Sequence, residues 1–349
     1  MLYKQNHLNV FLVVEKIIMF NKILITGATG FIGRHLIKTL SNNKDIKNIR
    51  ILARKTSDEK LLSNFKDIIE NLEIYFGDLS NPEDINQAIK DCDAVINLAA
   101  KVTYRNDPDL HNINVNGLKN LCEAAIDCNI KKFVQVSSIA SLGFTTDVNF
   151  PLDETAAFDL KNKGYYYAES KYDADVIALD YFQNKNLPVV ICLPAEVYGE
   201  DGWETAKNLV DLIKTPMVWK GGTSVVYVDD VVTGILNSLT MGRNGEKYIL
   251  GGENLTIEEI TKTILSIANK NKKITKLPNF IINHPVKYIS ILMEKFNLEP
   301  IFDSSVIKYA TKYWFVDSSK AKREINFNPL PPEIIFSKTI KWLEDENAI

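Results

Sequence analysis

Lys22-Ile23-Leu24-Ile25-Thr26-Gly27-Ala28-Thr29-Gly30-Phe31-Ile32-Gly33 is the stretch on which the fold turns. The apolar run Lys22–Thr26 reads as a strand buried on both faces, as in parallel sheets. It passes directly into a GxxGxxG turn, after which Phe31–Ser41 reads as a helix. Glycines here allow a tight turn, close approach of backbone to a pyrophosphate, and tight helix–strand packing. The helix N-terminus adds free N–H groups and a positive dipole end for the anion. Glycines also serve tight turns for steric reasons alone, but a triplet between strand and helix favours the phosphate-binding reading. Gly27, Thr29, Gly30, Phe31, Ile32 and Gly33 are therefore candidate cofactor-binding residues.

Downstream, further strands read at Asn48–Ala53, Leu72–Phe76, Ala94–Leu98, Phe133–Ser137 and Val189–Leu193, with helices such as Leu110–Asn129 and Tyr167–Phe182 between them. This alternation predicts an α/β fold, a doubly wound parallel sheet of the Rossmann kind with a smaller C-terminal substrate-binding lobe. After Pro194 the rhythm changes to loops and helices, rich in proline. Thr256 and Glu259 form a capping box ahead of a helix at Ile257–Ala268. Phe336, Ile340 and Leu343 share one helical face and should dock the last helix. The expected division is an extension at residues 1–20, a dinucleotide-binding domain at 21–193, and a mainly substrate-binding lobe at 194–349, some of whose segments return to the Rossmann body.

With 46% hydrophobic and 24% charged residues, the chain can bury a large core. A net charge of −3 argues against nucleic acid as a partner, because polyanion binders need a basic excess. Cys92, Cys122, Cys128 and Cys192 show no metal or CxxC spacing, and the four histidines are equally scattered. The chain thus reads as reduced, cytoplasmic and without a metal site. Asn9–Phe20 is apolar but interrupted by Glu15 and Lys16, and falls short of the about 20 residues a span requires. No small-residue cleavage site follows it. It reads as a dispensable leader, with an amphipathic membrane contact as the alternative.

The cofactor and the chemistry come next. An NAD site usually carries Asp or Glu about 20 residues past the glycines, whereas an arginine there accommodates a 2′-phosphate. The second strand instead ends Leu52-Ala53-Arg54-Lys55, which favours NADP over NAD and points to Arg54, whose planar fork can stack on adenine and pair with phosphate. Tyr167 and Lys171 stand four residues apart, on one face of a helix. Tyr165 and Tyr166 have no lysine four residues on, which settles the register. An ammonium and a positive nicotinamide ring both favour phenolate, drawing an ordinary tyrosine value of about 10 toward the working range. Ser137 and Ser138 end a buried strand whose carboxyl end should open over the nicotinamide, where a hydroxyl can donate to a substrate carbonyl.

Together with these motifs, Asp78 in Gly77-Asp78-Leu79, Asn97-Leu98-Ala99-Ala100, Asn114-Val115-Asn116-Gly117, Leu193-Pro194, Val197-Tyr198-Gly199 and Asp317-Ser318-Ser319-Lys320 make the chain resemble the extended short-chain dehydrogenase/reductases, the NAD-dependent epimerase/dehydratase superfamily. The likeness runs from about Asn21 to Trp342. The Leu52-Ala53-Arg54 strand end and the segment Ser137–Gly143 are most like dihydroflavonol-4-reductase-like and 3β-hydroxysteroid-dehydrogenase-like members. The resemblance implies that Asp78 and Leu79 meet the adenine, and that Ala99, Ala100 and Lys101 pass beside ribose and phosphates. It further implies a cofactor edge at Val136, Pro194 and Val197, a catalytic hydroxyl on Ser138, an acid–base on Tyr167, a ribose-gripping ammonium on Lys171, and Asn114 steadying the active-site helix and a water. Bland competitors remain: Asp78 could simply cap a turn, and Asn114 could bond backbone within its own helix.

Two departures bear on substrate. Nucleotide-sugar members generally carry an arginine before the strand that matches Val225–Val228; here Gly221-Gly222-Thr223-Ser224 stands there. Their Arg-Pro-Gly-Asp-like segment is replaced by Ala310–Phe315, reading ATKYWF. A diphosphate would lack both charge-assisted partners, so a less charged substrate is expected. The apolar segment Phe280–Phe296 could roof an apolar pocket or serve as ordinary core. The expected activity is reduction of a carbonyl, or oxidation of a secondary alcohol, on a small or moderately apolar molecule. The rivals are a sugar epimerase or dehydratase with tightly held NAD and a non-catalytic dinucleotide-binding protein. Partners are expected to be a small-molecule substrate and, as the resemblance suggests, a second copy in a homodimer, with no membrane span.

Overall fold

Ile23, Leu24, Ile25 and Thr26 (strand β1) are all buried, because helices cover both faces of the sheet at whose centre they lie. The computed structural model describes residues 20–42, 48–296 and 304–349; the leader proposed for residues 1–20 falls almost entirely outside them. β1 pairs in parallel with β2 (Ile49–Ala53) and β4 (Ala94–Asn97). β3 (Leu72–Phe76) lies beyond β2, and β5 (Lys132–Val136) and β6 (Val189–Pro194) beyond β4. β10 (Lys247–Leu250) completes the seven strands, in the order β10-β6-β5-β4-β1-β2-β3. The order reverses between β1 and β4, and a crevice at the carboxyl ends of those strands is where such sheets take ligands.

The period-two alternation of a strand shares the core between two layers. Ile23 and Ile25 pack with helices α1 (Phe31–Ser41) and α2 (Glu59–Ile68), whereas Leu24 packs on the other face with α3 (Pro82–Ile89) and α4 (Gly117–Asp127). α5 (Tyr166–Lys185) lies beside α4, and α7 (Val228–Met241), which follows α6 (Trp203–Lys214), lies beside α1. Strand limits agree with the sequence reading to within a residue at each end.

One predicted helix is different. Leu110–Asn129 is not continuous α-helix: a turn at Pro108–His111 widens into a π-turn at Asn112–Asn116 before α4 begins. The Gly117 N–H reaches back to the Asn112 carbonyl, and within this turn Asn114 bonds to the Lys101 main chain and to Ser170.

The second half is more sheet-rich than loops and helices would give. β9 (Gly222–Tyr227), buried at every residue, is flanked by β7 (Glu196–Tyr198), antiparallel β11 (Glu253–Thr256) and β13 (Tyr313–Trp314). β8 (Met217–Val218) and β12 (Thr275–Lys276) form a separate pair. Strands this short leave no periodicity to read. The capping box does form at α8 (Ile257–Ile267): Glu259 N–H donates to Thr256 Oγ1, and Thr256 N–H donates to Glu259. Phe336, Ile340 and Leu343 are buried on the last helix, Pro332–Asp345. No helix of the described residues is long and apolar enough to cross a membrane.

Candidate active site

Gly27 adopts φ +70°, and a Cβ there would lie 2.6 Å from the Ala99 nitrogen. The ends of β1 and β4 therefore touch backbone to backbone, which no larger residue allows. A Cβ on Gly33 would sit 2.2 Å from the Gly27 carbonyl oxygen, so α1 rests directly on the turn. Gly30 caps α1 with no side-chain partner for the first free N–H groups. Geometry and open donors fit a dinucleotide pyrophosphate, held by the turn Gly27–Gly33.

The other residues expected to meet a cofactor follow the ends of the strands. Arg54 follows β2 and is exposed; the Ser80 N–H and hydroxyl hold the Asp78 carboxyl down, and the nearby Arg54 charge adds to that. Asp78 itself accepts from the Ser80 N–H at 2.8 Å and the Ser80 hydroxyl at 2.7 Å, so its side chain is engaged in a turn cap. Leu79 is buried under α4, and Asn120 holds its carbonyl. Pro194 ends β6 opposite Leu250, and Val197 lies in β7 opposite Val226. Val136 ends β5 next to the two serines. Lys101 turns its ammonium away to Asp107 and Asp109, and its main chain does the work: its N–H donates to Asn114 Oδ1 at 2.7 Å.

Asn114 closes a three-way clamp. Its amide also donates to the Lys101 carbonyl (3.0 Å) and to Ser170 Oγ on α5 (3.1 Å). Its bonds thus run between segments, tying the strand-end loop to the helix of Tyr167 and Lys171, rather than along its own helix.

Ser138, Tyr167 and Lys171 converge. The Ser138 hydroxyl, which accepts from the Ala140 N–H at 3.2 Å, is near enough to the Tyr167 hydroxyl to favour the phenolate. Lys171 Nζ lies 5.9 Å from the Tyr167 ring centroid and donates to the Val136 carbonyl at 3.5 Å. Ser137, by contrast, is buried with no hydrogen-bond partner for its hydroxyl. Burial pushes the Tyr167 hydroxyl up to about 12, against the opposing Ser138 hydroxyl, and pulls Lys171 down to about 8. The direction at Tyr167 is opposite to that expected from a neighbouring ammonium, because desolvation outweighs the Ser138 hydroxyl and the charges of Glu204 and Asp175 add to the rise.

Several residues of the site carried no sequence signal. Asp175, fully buried one turn beyond Lys171, supports the Lys171 ammonium by its charge. It accepts from Ser141 Oγ at 2.7 Å and pairs with Lys247 Nζ at 3.6 Å, while Ser141 also donates to the Ser138 carbonyl. Its i+4 spacing from Lys171 was visible, but an Asp on a helix is ordinarily a solvated charge. Tyr104 meets Tyr167 edge-on at 5.8 Å and packs on Tyr309 at 4.5 Å; Tyr309 stacks on Trp314. These rings form an aromatic wall beside the phenol, assembled from segments some two hundred residues apart in the chain. Glu196, whose carboxyl burial pushes up, and Glu204 are near enough that their charges act on Tyr104, and Glu204 acts on Tyr167 as well.

The chain matches the NAD dependent epimerase/dehydratase family over residues 23–251. Vestitone reductase of Medicago sativa is 26% identical over 70% of this chain and 81% of its own length. Sterol demethylase protein B of Methylococcus capsulatus is 23% identical over 93% of this chain and 99% of its own. Among solved structures, that of gox2253 superposes with a TM-score of 0.79 at 30% identity, covering 94% of this chain and 99% of the other.

Proposed function

We propose, for a chain that belongs to the NAD dependent epimerase/dehydratase family, that it is a reductase/dehydrogenase acting on a carbonyl or secondary alcohol of a small, moderately apolar molecule. The observation that carries the substrate class is the make-up of the walls around Tyr167. They are aromatic (Tyr104, Tyr309), and the charges acting on Tyr104 and Tyr167 include the carboxylates of Glu196, Glu204 and Asp175. With Gly221–Ser224 and Ala310–Phe315 lacking arginine, a diphosphate would meet acidic and aromatic groups rather than a bidentate cation. Vestitone reductase is a relative whose name describes a reductase.

In this reading the turn Gly27–Gly33 and the α1 N-terminus hold the pyrophosphate, Ala99 lies against it, and Arg54 meets the adenine ribose. Bound, the dinucleotide supplies hydride to the carbonyl carbon, or accepts it from the alcohol. Ser138 donates a hydrogen bond to the substrate oxygen. Tyr167, protonated over the ordinary pH range, passes its proton to that oxygen as charge develops on it. Lys171 holds its ammonium beneath Tyr167, favouring the phenolate that results, and grips the ribose. Asn114 keeps α5 in register with the strand ends.

A turnover panel tests the substrate class. Reduced-cofactor consumption is expected with aromatic or alicyclic ketones and not with UDP- or dTDP-hexoses. Epimerisation or dehydration of a nucleotide sugar, with NAD⁺ retained through purification, would overturn it. The cofactor preference is tested by fluorescence titration with both reduced dinucleotides. NADPH is expected to bind more tightly, and Arg54→Glu to erase that preference by about tenfold or more, the loss of a charge-assisted phosphate contact. Tighter NADH binding by the unaltered protein would contradict it.

A further inference from the structure

The helix α9 (Lys287–Lys295) is built inside out. At about 100° per residue, Tyr288, Ile289, Ile291, Leu292 and Phe296 fall within an arc of about 160°, the width of one amphipathic face. That face points to solvent: Tyr288 is 65%, Leu292 56% and Phe296 66% exposed. Ser290, on the opposite side of the helix, is fully buried, with no partner for its hydroxyl. Phe280, 65% exposed, extends the patch at the start of the same segment. Six large apolar side chains thus face outward within seventeen residues, where a surface helix normally turns its apolar stripe to the core. The expectation that Phe280–Phe296 roofs a pocket or fills the core is not met by these side chains.

Charge identifies the occupant. Residues 268–296 contain six lysines and one glutamate, in a chain whose net charge is −3. Lys276 is paired with Glu258 and Lys272 caps the end of α6 by donating to the Ile213 and Lys214 carbonyls. Lys270, Lys273 and Lys295 are exposed. Lys295 lies within the apolar arc itself, where a long stem can lie along acyl chains while its ammonium reaches headgroups. A second copy docked through the same segment would bring further lysines rather than a neutralising charge. An anionic bilayer satisfies both the apolar arc and the lysines. We infer that the face of α9, with Phe280, is an interfacial membrane-docking surface for anionic lipid. It is joined to the site through the fold: α9 packs against α10 (Ser304–Ala310), whose Tyr309 packs on Tyr104 in the aromatic wall beside Tyr167.

Flotation of the full-length chain with vesicles tests this without reference to any reaction. The protein is expected to float with phosphatidylcholine vesicles containing about 30% phosphatidylglycerol, and to be released by about 0.5 M salt or by omission of the anionic lipid. The double variant Leu292→Glu/Phe296→Glu, at two exposed positions that leave the core intact, should bind at least about tenfold less at an unchanged melting temperature. It keeps the apolar stretch Asn9–Phe20, so a loss belongs to α9. Failure of the unaltered chain to float, or equal flotation of the variant, overturns the proposal. So does a dimer that the double substitution converts to monomer, since the patch would then join two copies.

Discussion

At Asp175 one buried carboxylate serves three groups: the Ser141 hydroxyl at 2.7 Å, the Lys247 ammonium at 3.6 Å and, through its field, Lys171. Lys171 titrates near 8 because burial disfavours its ammonium, and Asp175 opposes that. Other charged or titratable groups around the site are Tyr167 on the same helix, and Tyr104, Tyr309, Glu196 and Glu204 from the segments packed beside it. Removing the Asp175 charge favours neutral lysine, so the Lys171 value falls further. Asp175→Asn is therefore expected to move the alkaline limb of the kcat/KM profile down by about one pH unit. A uniform loss of rate with an unmoved limb would mean that Asp175 only holds structure. Of the candidate site, Gly27, Gly33, Tyr167 and Lys171 were legible because each answers a chemical need at a fixed spacing, and Ser138 was singled out from Ser137 by the family resemblance. Asp175, Tyr104 and Tyr309 were not, because their meaning comes only from what the fold brings beside them.

Among the elements, α1 carries both the phosphate turn and a clamp on α7. His35 Nδ1 lies 2.8 Å from Asp229 Oδ1, and Nε2 3.0 Å from the Glu200 carbonyl. Both neighbours only accept, so the doubly protonated ring is the form that satisfies both. Burial alone would lower the His35 value, but the Asp229 bond and charge and the Glu200 carbonyl outweigh it and raise it above the ordinary 6.5. A raised histidine value stabilises the fold fully below the unfolded-state value, and the contribution is lost as pH rises through the folded-state value. His35→Gln should accordingly cost more in urea unfolding at about pH 6 than at about pH 8, with a difference of about 1 kcal/mol or less because Asp229 is exposed. An equal cost at both pH values would show that the imidazolium contributes nothing. The helix α1 was readable from its apolar spacing. The π-turn at Asn112–Asn116 was not, because its cause is long-range: Asn114 is drawn to Lys101 and Ser170 on other segments.

Over the whole molecule, continuous apolar runs after each turn signal made the strands legible, and their alternation with helices made the doubly wound sheet legible. The return of Lys247–Leu250 to pair with β6, and the small sheet around β9, depend on pairings between distant segments that local pattern does not encode. Those same pairings bring Tyr309 and Trp314 to Tyr104, which meets Tyr167, so the aromatic wall became visible only in the fold. Tyr167 is the proposed proton donor within that enclosure. The direct measurement is turnover by Tyr167→Phe, on any ketone the unaltered protein reduces, with cofactor affinity followed in parallel. Dinucleotide affinity within about twofold of the parent, with turnover reduced by about 10² to 10⁴, is the predicted result. Turnover at the parental rate would contradict it.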